Sequence, residues 1–142
     1  VWVSLETQKM IFIDASAYIG VLNPSDNHHV KALKLSNLFL TQESHVVTSY
    51  AVLGEVLTVG SMRYNRQAAV DFVKTIFDSK TKIISENNEL IEKALEIFQS
   101  IKDKDVSWVD CYSFAIIEHY KVEKVFSFDK DFKKYTKAEL LE

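Results

Sequence analysis

The chain alternates between two hydrophobic periods. Short apolar runs bounded by polar breaks read as buried strands, and longer segments with apolar residues at i, i+3 and i+4 read as helices. KMIFIDA (9–15) is the first strand, with a short helix over 16–22 and a turn at Asn23, Pro24 and Ser25. Residues 27–42 carry Val30, Leu33, Leu35, Leu38, Phe39 and Leu40 at roughly helical spacing. SHVVTS (44–49) is the second strand, and helices follow over 50–62 and 65–79. TKIIS (81–85) is the third strand, 86–101 and 107–121 are helices, EKVFSF (123–128) is a strand, and a last short helix covers 130–135.

Strands that alternate with helices predict a parallel sheet covered on both faces. The expected fold is therefore α/β, a three-layer α/β/α sandwich around a central, mostly parallel sheet. No repeat, low-complexity tract or long linker divides the chain. Residues 10–142 read as a single domain, and residues 1–9, ahead of Met10, as a leader or remnant, or else a short added strand.

Composition narrows the class. With 142 residues, 47% hydrophobic and 26% charged, the chain can bury a real core and is too apolar for a disordered one. No apolar run approaches the ~20 residues of a membrane helix, and the start lacks the layout of a secretory signal. One cysteine, Cys111, cannot form an internal disulfide, so a reducing cytoplasm is the expected setting. A net charge of -3 and a pI of about 5.8 neither demand nor forbid a nucleic-acid partner. A binder that relied on phosphate neutralisation alone would be basic, so a polyanion would need a local basic rim or metal ions here.

Four acids stand in apolar settings. Asp14 ends the first strand, and Asp129 ends the apolar run VFSFD (125–129). If those strands are parallel neighbours, both carboxylates leave the same edge of the sheet, where α/β folds bind ligands. The alternative is local: Asp after a strand starts turns and caps helices. Glu55 lies three residues after Val52 and four before Val59, on an apolar stripe. Asp110 shares a face with Val106, Phe114 and Ile117, but Ser107-Trp108-Val109-Asp110 also matches a capping box, and the two readings stand side by side. Four converging carboxylates repel one another, and a hard divalent cation relieves that conflict. Mg²⁺ and Mn²⁺ favour such oxygen ligands, and the chemistry that follows is phosphodiester hydrolysis.

The remaining candidates are weaker. His28, His29, His45 and His119 lack metal-ligand spacing and read as structural or surface residues. Cys111 reads as a small core residue. No Ser-His-Asp arrangement is present, and three glycines are too few and wrongly placed for a phosphate loop. Arg63, Arg66, Lys130, Lys133 and Lys134 either touch RNA phosphates at a rim or are solvated charges. Tyr18, Tyr50, Trp108 and Tyr112 either stack bases or pack the core.

DVSWVDCYSFAII followed by KVFSFDKDF resembles the C-terminal half of PIN-domain ribonucleases, and IFIDAS and TSYAVLGEV resemble the family's other two motifs. The ordered set spans residues 10–132. The resemblance implies that Asp14, Glu55, Asp110 and Asp129 are the metal-binding, catalytic acids, holding Mg²⁺ or Mn²⁺ for RNA cleavage. It implies supporting roles for Ser16 and Ser127. Asp105 and Asp131 lie near the motif acids without being ligands, and Asp131 is expected to face solvent or cap the last helix. Many relatives are VapC-type toxins, so the implied function is a metal-dependent endoribonuclease, the toxin of a toxin–antitoxin pair. Its implied partners are RNA, a small antitoxin and a second copy in a homodimer. Two other classes compete. A receiver-like phospho-signalling domain needs paired acids after the first strand and a phosphoacceptor Asp after the middle one, whereas IDAS offers one acid and IIS (83–85) none. A non-catalytic RNA-binding module would use the same pocket without turnover.

Overall fold

The computed structural model describes residues 9–41 and 45–142. Among these residues, five strands form one sheet: β1 (Met10–Ile13), β2 (His45–Ser49), β3 (Lys82–Ile84), β4 (Lys124–Phe126) and β5 (Glu139–Leu141). Among the same residues, seven helices connect them: α1 (Ala15–Leu22), α2 (His29–Thr41), α3 (Tyr50–Arg63), α4 (Arg66–Asp78), α5 (Asn88–Ser100), α6 (Trp108–Tyr120) and α7 (Asp131–Tyr135). The strand order is β3-β2-β1-β4-β5, and every pairing is parallel. A parallel sheet must be covered on both faces, which is why its central strands read as unbroken apolar runs. Ile11, Phe12 and Ile13 of β1 and Val125 and Phe126 of β4 are all buried.

The order of the strands places the site. The chain steps from β1 to β2 to β3 in one direction, then returns past β1 to lay down β4 and β5. Crossovers between parallel strands are right-handed, so this reversal puts α1–α4 on one face and α5–α7 on the other. The reversal falls between β1 and β4, and the crevice beyond their carboxyl ends is where such sheets bind ligands. Register pairs Ile13 with Phe126, and the Asp14 N–H donates to the Phe126 carbonyl at 3.0 Å. Asp14 and Ser127 therefore emerge side by side. A receiver fold has the strand order 2-1-3-4-5, so this sheet removes that alternative.

Several elements differ from the sequence expectation. β4 stops at Phe126, and Ser127, Phe128 and Asp129 turn away rather than extending the strand. β5 was not predicted: it is three residues at the sheet edge, defined by pairing with β4 and by Ser127 N–H donating to Leu141 O at 3.2 Å. α6 is buried continuously from Asp110 to Ile117, so the single apolar face assigned to it gives way to burial all round. α2 goes the other way, leaving Val30 67% exposed. Lys121 closes α6 in the left-handed region, with φ 52°.

The leader expected over 1–9 lies, except for Lys9, outside the described residues, as do positions 42 and 44 at the ends of the second predicted helix and strand. The Lys9 carbonyl accepts from His45 N–H at 3.1 Å, so sheet pairing starts one residue before Met10. Among the described residues no helix is long and apolar enough to cross a membrane.

Candidate active site

Asp14 is the innermost of the four acids, with 3% of its surface exposed. Its two oxygens have different work. Oδ2 caps α1 by accepting from Ser16 N–H at 3.4 Å, and it accepts the Ser16 and Ser127 hydroxyls, each at 2.9 Å. Oδ1 is buried without a hydrogen bond of good geometry. The two serines are themselves fixed: Ser16 Oγ accepts from Phe128 N–H and Ser127 Oγ from Asp129 N–H, both at 3.0 Å. Each hydroxyl has one proton and spends it on Asp14, so their mutual 3.1 Å approach carries no further donor.

The same division recurs in two of the other acids. Asp110 completes the capping box with Ser107: Asp110 N–H donates to Ser107 Oγ at 3.1 Å, and Ser107 N–H donates to Asp110 Oδ2 at 3.2 Å. Asp129 Oδ1 accepts from Asp131 N–H at 2.9 Å, which is turn chemistry. Local roles and a shared site are thus compatible, because the amides engage Asp110 by Oδ2 and Asp129 by Oδ1 and each carboxylate has a second oxygen. Glu55, half-buried in α3, makes no side-chain hydrogen bond among them at all.

The acids act on one another. Burial, then the charges of Asp14, Asp110 and Asp129, push Glu55 up to about 7, with Arg63 pulling the other way. Burial and then Asp14 push Asp110 up to about 6, against the hydrogen bonds of Ser107. Burial also raises Asp14, although both serines oppose it. All four predicted residues therefore act on one another electrostatically, brought from the β1–α1 junction, α3, α6 and the β4–α7 turn. Among the described residues, no three acidic, histidine or cysteine side chains already stand as a closed metal cage. The donor set nonetheless fits a hard cation. It is all oxygen, it carries an orphan buried oxygen on Asp14, and Mg²⁺ takes only one or two carboxylates beside water and phosphate.

A cleft of about 440 Å³ adjoins the acids, sharing Ser16 and Asp129 with them and bordered by Arg63 and Lys130. Of the basic residues flagged from sequence, only those two line it. Lys134 instead sits over the Tyr135 ring at 5.1 Å and lines a second, larger cleft of about 880 Å³. Asp131 opens α7 rather than capping it and is partly buried, and Asp105 is exposed. Tyr18, Tyr112 and Cys111 belong to the core. Sequence reasoning set His28 aside, yet its ring lies flat on Phe128 in the smaller cleft, with centroids 4.3 Å apart. No spacing signal exposes a contact between residues a hundred positions apart.

The chain is similar to known proteins over most of its length. The 23S rRNA-specific endonuclease VapC20 of Mycobacterium tuberculosis is 29% identical over 123 residues, covering 87% of this chain and 92% of the relative. The crystal structure of that Mycobacterium tuberculosis VapC20, a Sarcin-Ricin loop cleaving toxin, superposes with a TM-score of 0.80 at 26% identity, covering 90% of this chain and 98% of the other. The DNA-bound VapBC of Salmonella typhimurium shares the fold, with a TM-score of 0.65 at 12% identity over 94% of this chain and 98% of that one. Residues 11–138 match the PIN domain. The chain belongs to the PIN-domain family.

Proposed function

We propose that residues 10–142 form one nuclease unit, a Mg²⁺- or Mn²⁺-dependent endoribonuclease that serves as the toxin of a toxin–antitoxin pair. The observation that carries this reading is the buried Asp14 carboxylate, whose Oδ1 lacks a hydrogen bond of good geometry and whose charge acts on Glu55 and Asp110. A protein does not leave such a charge uncompensated without cost, and a divalent cation compensates it. The 23S rRNA endonuclease relative supports RNA as the substrate.

Asp14, Glu55, Asp110 and Asp129 would hold the cation. When bound, it would activate water and offset charge on the scissile phosphate. The chain's own contribution is orientation. Ser16 and Ser127 hold Asp14 by Oδ2, and the Ser107 and Asp131 amides hold Asp110 by Oδ2 and Asp129 by Oδ1. Arg63 and Lys130 stand at the rim, where a polyanion needs cations.

A small antitoxin and a second copy are the protein partners of this reading. The toxin–antitoxin assemblies among structural relatives support the first, and Val30 and Met62, apolar and 67% and 81% exposed, offer surface for either. The cytoplasm, with RNA at hand and Cys111 reduced, is the compartment it requires.

The test is RNA cleavage by the wild-type chain, by Asp14→Asn and by Asp110→Asn, with and without Mg²⁺ or Mn²⁺. Cleavage is expected only from the wild type with metal. Full cleavage by both variants would remove the site assignment, and metal-supplied RNA binding without turnover would leave a binding module.

A further inference from the structure

The cleft beside the acids contains more than the metal site uses. At about 440 Å³ it falls within the ~300–1,000 Å³ range of small-ligand sites. Ser16 and Asp129 form one wall, so cleft and acids are continuous. Beyond them stand a flat ring pair, His28 and Phe128, and two cations, Arg63 and Lys130. Neither cation forms an ion pair among the described residues.

The ring pair is built into the fold. Phe128 is tied at its N–H to Ser16 Oγ at 3.0 Å, and its ring meets Phe126 edge-on, with planes at 74°. Gly20 leaves room beneath it, since a Cβ there would stand 3.3 Å from the Phe128 ring. The His28 ring lies on Phe128 with planes 9° apart. The His28 backbone N–H donates to Asp26 Oδ1 at 2.9 Å, its Nδ1 lies 3.6 Å from the same oxygen, and half of the side chain is exposed. One face of the imidazole is thus backed by Phe128, and the other is open. A flat open ring beside two free cations, next to a phosphodiester-cleaving site, has the chemistry of one nucleotide.

The geometry points to this cleft as the seat of a nucleotide flanking the scissile phosphate, its base on the open face of His28 and its phosphate between Arg63 and Lys130. The assignment rests on the ribonuclease reading and makes His28 a specificity residue. Its chain neighbour Asn27 lines the same cleft and offers an amide to a base edge.

The experiment uses short RNA oligonucleotides differing in the bases flanking the cleaved bond, with wild type, His28→Ala, His28→Phe and Arg63→Ala. His28→Ala is expected to raise KM roughly 5- to 100-fold, from the usual worth of one stacked base, and to flatten the base preference while kcat changes little. His28→Phe restores KM because the stacking surface returns. Arg63→Ala weakens all sequences alike and lowers the salt dependence. If the wild type cleaves RNA and His28→Ala keeps both KM and base preference, the inference is overturned. If the wild type cleaves none, the ribonuclease reading fails by itself. Metal-free binding of the same oligonucleotides then decides the cleft: loss in His28→Ala with rescue in His28→Phe upholds it, and equal binding overturns it.

Discussion

The two ends of the sheet make opposite uses of charge. The amino end carries the larger cleft, about 880 Å³, with Lys93, Lys121, Lys134 and Lys137 around an apolar floor of Phe114 and Ile117. Two of its cations already have partners: Lys93 pairs with Glu118 at 3.3 Å, and Lys134 lies over the Tyr135 ring. The cleft at the carboxyl end has half that volume but shares Asp129 with the acids, among which Asp14 keeps a buried oxygen without a hydrogen bond of good geometry. The size of a hollow is therefore a poor guide to chemistry. An electrostatic cost that the fold leaves standing is a better one.

The comparison can be broken most directly by activity. Asp14→Asn is expected to lower RNA cleavage at least about 100-fold, the scale of losing a preorganised charge, while Lys121→Ala and Lys137→Ala stay within about twofold of wild type. Equal losses at both ends would dissolve the distinction. The same Asp14→Asn chain, free of metal, should melt higher than the wild type, because a buried charge is gone and the serine partners keep an acceptor.

Ser127→Ala is the next step down. It leaves Asp14 Oδ2 with one hydroxyl and the Asp129 N–H without its acceptor, and should cost about 10- to 100-fold in metal affinity, read by calorimetric titration with Mn²⁺. Smaller still is the pH effect. Glu55 rises from 4.5 to about 7 and Asp110 from 3.8 to about 6, so the folded chain holds protons that the unfolded chain releases. The stability these two groups contribute without metal is therefore full below about pH 4 and is lost as pH rises through 6 to 7. Thermal melts with chelator should show this slope. Mg²⁺ or Mn²⁺ should flatten it, and so, in part, should Asp14→Asn, since Asp14 is the foremost charge acting on both groups. At the amino end, Lys121→Gly should raise stability by about 0.5 kcal/mol through relief of its positive φ, with cleavage unchanged.

Much of this was legible in the chain because the signals are local. IFI before Asp14 and VF before Ser127 mark strands buried on both sides, and Ser107 to Asp110 marks a helix start. What was not legible depends on partners distant in sequence. β5 is a strand only because β4 lies beside it, and no alternation in Glu139–Leu141 announces it. His28 looked idle because its meaning lies in Phe128. Sequence left the capping and site roles of Asp110 side by side, and the structure shows the capping box itself.

Ser127 has one more consequence, for assembly rather than chemistry. Side chains alternate along a strand, so a slip of one residue between β4 and β1 would set a phenylalanine beside Asp14 in place of the hydroxyl. Apolar runs such as VF against IFI discriminate poorly between neighbouring alignments, because almost any offset buries them. The hydroxyl–carboxylate bond tolerates only one. Ser127 thus acts as a register key, checking that the two central strands have closed in the correct alignment before the site that depends on them exists.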